Sequence, residues 1–239
     1  MGTIKIAFIN ASTVVSDNDA KAVMSALQKQ VSNDFAPVWG VDAILQFFKQ
    51  GQATPTGYWW LTILDNSDQA GALGYHDITN EGLPLGKIFA KSDLQYGSAW
   101  SVTASHELLE MLGDPDINLT VFRQNTNDSG ILYAYEVCDA CEADEFAYKI
   151  DNVLVSDFVY PSWFEDIIYD GIQYDHLKKI DKPFLLLEGG YISIYKINSG
   201  EGWTQLNPPG ARLEYKMRAK VGTRRERRRT PKHQWLRSR

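Results

Sequence analysis

Nowhere in the chain do eighteen apolar residues run together, and the opening M-G-T-I-K-I-A-F-I-N lacks the basic start and long apolar stretch of a secretory signal. A membrane-spanning helix is not expected, and the default location is the cytoplasm. Cysteine is nearly absent. Cys138 and Cys141 are the only two, which excludes a disulfide framework and leaves room for one local bridge. Histidine is scarce, with four in 239 residues, and no methionine falls between Met111 and Met217.

What is present suffices for a core. The chain is 44% hydrophobic and 12% aromatic, a composition and length that fit one large domain or two small ones. Its net charge of -6 hides an asymmetry: residues 216–239 hold 11 of the 24 basic side chains against one acid, which leaves 13 basic and 29 acidic residues before them. The expected division is therefore a globular domain over 1–215 and a basic, disordered tail over 216–239, since such a charge run cannot form a core. R224-R-E-R-R-R229 could meet phosphate, an acidic partner or the acidic body. The acidic body and the absence of interleaved aromatics disfavour nucleic acid.

Periodicity places a strand at 3–9, then an amphipathic helix after S16-D-N-D19, with Val23, Ala26, Leu27 and Val31 on one face. W39–F48 and Y58–D65 read as two further strands, and A70–D77 with L85–A90 as an irregular strand pair. A helix is expected from Ser101 to Gly113, because Pro115 disfavours helical geometry at Asp114 and Gly113 suits a C-terminal cap. Strands at 133–137 and 152–156, an aromatic stretch F158–F164 and a Gly-punctuated β region over 184–206 complete an α+β pattern.

The 101–113 helix carries the chemistry. A104-S-H-E-L-L-E-M-L-G-D-P-D116 sets Thr103, His106, Glu107, Glu110 and Gly113 on one stripe of an otherwise apolar helix, so the stripe should face a cleft. His106 and Glu110, four apart, can share an ion, and Glu107 can reach a water on it, the arrangement of His-Glu-x-x-His peptidases with the second histidine replaced. With four His and 11 Glu in the chain, chance supplies about 0.01 matches to His-Glu-x-x-Glu. Gly113 and Asp116 extend the match to the metzincin spacing H-E-x-x-E-x-x-G-x-x-D, in which the glycine turns the chain and brings Asp116 back as third ligand. The alternatives are Asp114 or Glu136, the latter 30 residues after His106 as in gluzincins. The same stripe could instead be structural, its acids solvated or bonded to backbone N–H groups.

A-S-H-E-L-L-E-M-L-G-D-P-D, A70-G-A-L-G-Y-H-D77, Y135-E-V-C-D-A-C-E-A-D144 and V155-S-D-F-V-Y-P-S-W-F164 together resemble a family of uncharacterised bacterial proteins with a zincin-like, metallopeptidase-type catalytic domain. The resemblance covers most of the chain. It implies a zincin-like mixed sheet with an active-site helix and a candidate metal site. The methionine gap means that the Met-turn of metzincins is absent or replaced.

One imidazole and two carboxylates would blunt a metal's Lewis acidity and widen its choice toward harder ions, while remaining acceptable to zinc. E136-V-C-D-A-C-E-A-D-E145 packs five acids around C-x-x-C; without further Cys or His partners it reads as an acidic loop or a hard-cation site rather than a zinc or redox centre. His76 could border the cleft or sit in the core, as could His176, and Tyr160 could donate to an oxyanion or simply pack. The expected function is a metal-dependent hydrolase, a peptidase by pattern, with one divalent metal, zinc first, on His106, Glu110 and Asp116, Glu107 as base, and a peptide or protein substrate. The competing expectation is a non-catalytic binding or structural module that keeps the fold.

Overall fold

The computed structural model describes residues 3–69, 72–126 and 129–208; the 216–239 segment, and with it the expected disordered tail, lies outside them. The architecture is α+β. Strands β1 (Ile4–Asn10), β2 (Ala43–Lys49), β3 (Trp59–Leu64), β4 (Gly74–Ile78) and β5 (Pro84–Phe89) form one sheet in the order β2-β1-β3-β5-β4. All neighbours run parallel except β4, which joins the edge antiparallel to β5. One face of this sheet carries Ile6, Phe8, Leu45, Leu61, Ile63 and Ile88, all buried in the main core.

Two long helices cover that face. In α1 (Asp17–Lys29) the Ser16 hydroxyl accepts the Asp19 amide, and Asp17 and Asp19 suit the helix's positive end. Its stripe of Ala20, Val23, Ala26 and Leu27 is buried, as the periodicity predicts. A π-helical turn, Gln30–Phe35, follows and runs into the short α2 (Ala36–Trp39), so the strand read from Trp39 begins only at Ala43. After β5 come α3 (Ala90–Tyr96) and α4 (Trp100–Gly113), the second covering helix.

The remainder forms a second core. Strands β6 (Thr120–Thr126), β7 (Ser129–Ala134), β10 (Ile192–Lys196) and β11 (Trp203–Leu206) make an antiparallel sheet in the order β11-β10-β7-β6. A hairpin of β8 (Tyr148–Ile150) and β9 (Val153–Val155) packs on α1 and α4. Trp163, Phe164, Tyr174 and Tyr133 build the second cluster, and Trp39 reaches from the first half to donate its indole N–H to the Val159 carbonyl. No helix among the described residues is long and apolar enough to cross a membrane.

Candidate metal centre

The stripe on α4 is buried almost completely: His106 is 8% exposed, Glu107 5% and Glu110 3%. The helix reaches this depth because β4 and β5 offer it glycine. Gly74 and Gly86 point toward α4, and a β-carbon on Gly74 would stand 2.6 Å from Thr103 Cγ2 and 2.8 Å from Glu107 Oε1. Glu107 thus lies directly on the sheet, where any side chain at 74 would displace it. A buried network holds the other flank. Ser105 Oγ donates to Gln30 Oε1 in the π-helical turn and accepts the Ser156 amide, while Gln30 Nε2 donates to the Ser156 carbonyl.

Three further side chains complete the cluster. His76, opposite Gly86 in the β4–β5 register, faces α4 and is 4% exposed. Its Nδ1 is 3.4 Å from Glu107 Oε2 and 3.3 Å from Glu110 Oε2, and its Nε2 is 3.7 Å from Glu136 Oε2. His106 Nε2 lies 3.2 Å from Glu110 Oε1 and 3.4 Å from Asp139 Oδ1. Glu136 and Asp139 arrive from the segment after β7 and are buried. Two groups of donors result, His76 with Glu110 and Glu136, and His106 with Asp139 and Glu142; within each, one ligand atom per residue lies within 4.8 Å of the others.

These separations suit a metal. Zn–N and Zn–O bonds of ~2.0–2.2 Å at a tetrahedral angle set donor atoms about 3.3 Å apart. The donor chemistry, imidazole with carboxylate, also fits a borderline or hard divalent ion.

The charges are strongly coupled. Burial alone would discharge His106, but Glu110 and Asp139 outweigh it and hold its pKa well above the ordinary histidine value. Burial likewise opposes charge on His76, and Glu107 and Glu110 raise its pKa. Burial opposes ionisation of Glu110 too, yet the two imidazoles hold that carboxyl well below the usual range. Asp93, beside the helix on α3, is driven up to about 7 by burial; the Thr103 hydroxyl that donates to it opposes the rise, and the charges of Asp144 and Glu107 add to it.

Of the residues expected as ligands, the fold brings His106 and Glu110 together and places Glu107 beside them. Asp116 it does not: the residue is exposed and belongs to neither donor group among the described residues. The reason lies in the turn after α4. Asp114 accepts the Asn118 and Leu119 amides with its two oxygens, Ile117 takes φ 53°, and this closed turn leaves Asp116 facing outward. Asp114 is thereby a turn-former. Gly113 differs from its expected role as well. It remains helical, and its value is space, since a β-carbon there would meet Val137 Cγ1 at 2.9 Å. Val137 precedes Cys138, whose amide points at Glu110 Oε1 across 3.4 Å, so the glycine lets the acidic segment close on the helix.

His76, Asp139 and Glu142 were not singled out as ligands by spacing, because they come from a separate strand and from a segment 33 and 36 residues beyond His106. The signals available were the density of acids in 136–145 and, for His76, a strand that could border the cleft. Cys138 and Cys141 are free and buried, their thiol pKa values pushed well up by that burial, which suits neither a redox pair nor thiolate ligation. His176 packs between Tyr148 and Phe158 with its pKa lowered by burial, and Tyr160 directs its hydroxyl to His176 Nδ1 at 3.5 Å. Comparison with protein-family models, curated proteins and solved structures gives no match to the chain.

Proposed function

We propose that the protein is a metal-dependent hydrolase with a zincin-like catalytic domain, acting on peptide bonds. The observation that carries this function is the position of His106, Glu107 and Glu110 on a buried helix beneath an antiparallel edge strand, where four carboxylates and two imidazoles converge. His76 with Glu110 and Glu136, or His106 with Asp139 and Glu142, would hold the metal. A bound divalent ion supplies Lewis acidity and makes a water nucleophilic near neutral pH. Glu107 serves as proton acceptor: its Oε2 accepts no hydrogen bond, so a lone pair is open to a water's proton. His76, whose Nδ1 is 3.4 Å away, would orient the carboxylate. Gly74 and Gly86 fix Glu107 by contact, which limits the directions from which water can approach it.

One observation favours a second function, a non-catalytic module that keeps an ion for structural reasons: apart from the partly exposed Glu142, no donor in the cluster is more than about a tenth exposed, which restricts substrate access. Substitution at two adjacent glutamates separates the two. Glu107→Gln should retain metal and lose hydrolysis of casein or a mixed peptide library by ~10²–10⁴-fold, whereas Glu110→Gln should lose metal. Glu110→His, which restores a second imidazole one helical turn from His106, should tighten zinc binding. Fully metal-loaded protein that is inactive in every form, over a range of pH, would leave the structural module.

A further inference from the structure

We propose that this centre binds two divalent cations bridged by the Glu110 carboxylate, one held with His76 and Glu136 and the other with His106, Asp139 and Glu142. The inference rests on the metal-binding function above and deepens it from one ion to two. Its geometric basis is the division of labour at Glu110. Oε2 addresses His76 at 3.3 Å and Oε1 addresses His106 at 3.2 Å, so the two oxygens of one carboxylate face two different imidazoles. Neither donor group contains both histidines. Each has one nitrogen and two carboxylates, and with Glu110 shared the second group gains a fourth donor. Two ions ~3.5–4 Å apart are the arrangement of two-metal hydrolases.

Charge points the same way. Glu107, Glu110, Glu136 and Asp139 are all at least nine-tenths buried, against two imidazoles in the cluster. Even with both histidines charged, the four carboxylates would leave an excess of two negative charges. The only buried lysine among the described residues, Lys87, donates to Asp68 and the Tyr75 hydroxyl, and no described arginine is buried. Unbalanced charge at this depth is costly. Two divalent cations balance these four buried carboxylates with both histidines neutral, the form in which imidazole ligates, and leave only the partly exposed Glu142 beyond the balance. A third observation is geometric: Glu107 Oε2, on a side chain 7% exposed, accepts no hydrogen bond and lies 3.4 Å from His76 Nδ1. The donor set, mostly oxygen with one nitrogen per ion, suits Zn²⁺ and Mn²⁺.

The test is a stoichiometry with a spectroscopic check. Full-length protein purified without a metal-affinity tag, stripped by chelator and reloaded with Zn²⁺ or Mn²⁺, should contain two ions per chain by elemental analysis. The Mn²⁺ form should give the electron paramagnetic resonance spectrum of an exchange-coupled pair rather than isolated ions. His76→Ala and His106→Ala should each retain one ion and lose the coupling. One ion per wild-type chain without coupling would overturn the pair and leave the hydrolase with a single metal; no ion under either loading would overturn both. Two ions retained in His76→Ala would overturn the assignment of that residue. Should either variant fail to fold, anomalous diffraction from Zn²⁺-loaded wild-type crystals decides: two peaks flanking Glu110 support the pair, and one peak refutes it.

Discussion

Replacing Gly74 by alanine tests whether the depth of the site depends on the sheet's missing side chain. The added β-carbon would lie 2.6 Å from Thr103 Cγ2, 2.8 Å from Glu107 Oε1 and 2.9 Å from Glu107 Cγ. Carbon–carbon contacts are comfortable near 3.5–4.0 Å, so helix α4 or Glu107 must retreat by about an ångström. Neither has space nearby, because Ala104 and Leu108 on the same helix are fully buried. Overpacking of this kind costs about 1–3 kcal/mol, which for a chain of this size lowers Tm by roughly 2–4 °C per kcal/mol. Gly86→Ala provides the contrast. Its β-carbon would meet Leu61 Cδ1 at 2.6 Å but stay 3.6 Å from Glu107 Cβ, so it strains the core and spares the carboxylate. Gly40→Ala controls for backbone alone: nothing lies within 4 Å, but φ is +69°, for which about 1–2 kcal/mol is expected. Urea melts measure the three costs, and ¹⁵N shifts of the His76 ring report the site. Gly74→Ala should perturb both stability and His76; Gly86→Ala should perturb stability with much less effect on His76. A Gly74→Ala protein with unchanged melt and unchanged His76 resonances would refute the close-approach argument.

Two further substitutions probe the surroundings. Burial, together with the charge and hydrogen bond of Asp175, drives the Asp157 carboxyl up to about 8. The folded chain therefore keeps a proton that the unfolded chain releases above about 4, and stability should fall as pH rises between those values, by at most ~1.4 kcal/mol per unit. Asp157→Asn can still accept the Phe158 and Leu177 amides and donate to Asp175, so its Tm should decline less than that of wild type between pH 5 and 8; parallel pH–Tm curves would refute the shared proton. Ser105→Ala removes one hydroxyl that serves both Gln30 and Ser156, stranding two buried polar groups at ~1–3 kcal/mol each. Urea denaturation should show a loss of at least ~1 kcal/mol, and a smaller one would mean that the network relaxes without it.

Much of the first half was legible because periodicity and capping agree there. Ser16 caps the helix it was expected to start, β1 and β3 match their apolar runs, and the 101–113 helix begins one residue early. The misreadings have local causes. Trp39 belongs to a helix because the π-helical turn carries α1 forward into Ala36–Trp39, with Gly40 at φ 69° ending it. The strand β6 was missed because its residues, T-V-F-R-Q-N-T, are largely exposed and carry little hydrophobic pattern.

The site divides along the same line. His106, Glu107 and Glu110 could be grouped from sequence because one helix fixes their relation, and a local rule suffices. Asp116 lies outside both donor groups because a spacing's meaning depends on the turn, and Asp114, through the Asn118 and Leu119 amides, sets a turn of its own. His76 enters by an antiparallel pairing with β5, which fixes its face through the register with Gly86, and Glu136 and Asp139 enter because Gly113 lets Val137 approach. Each of these depends on a glycine that admits a neighbour rather than on the residue doing the chemistry. Gly74, Gly86 and Gly113 all lie outside the positive-φ set, so a search for turn glycines would pass over them. In this chain the positions that assemble the acidic cluster are marked by missing side chains, and the donors themselves follow from where those gaps allow backbone and helix to meet.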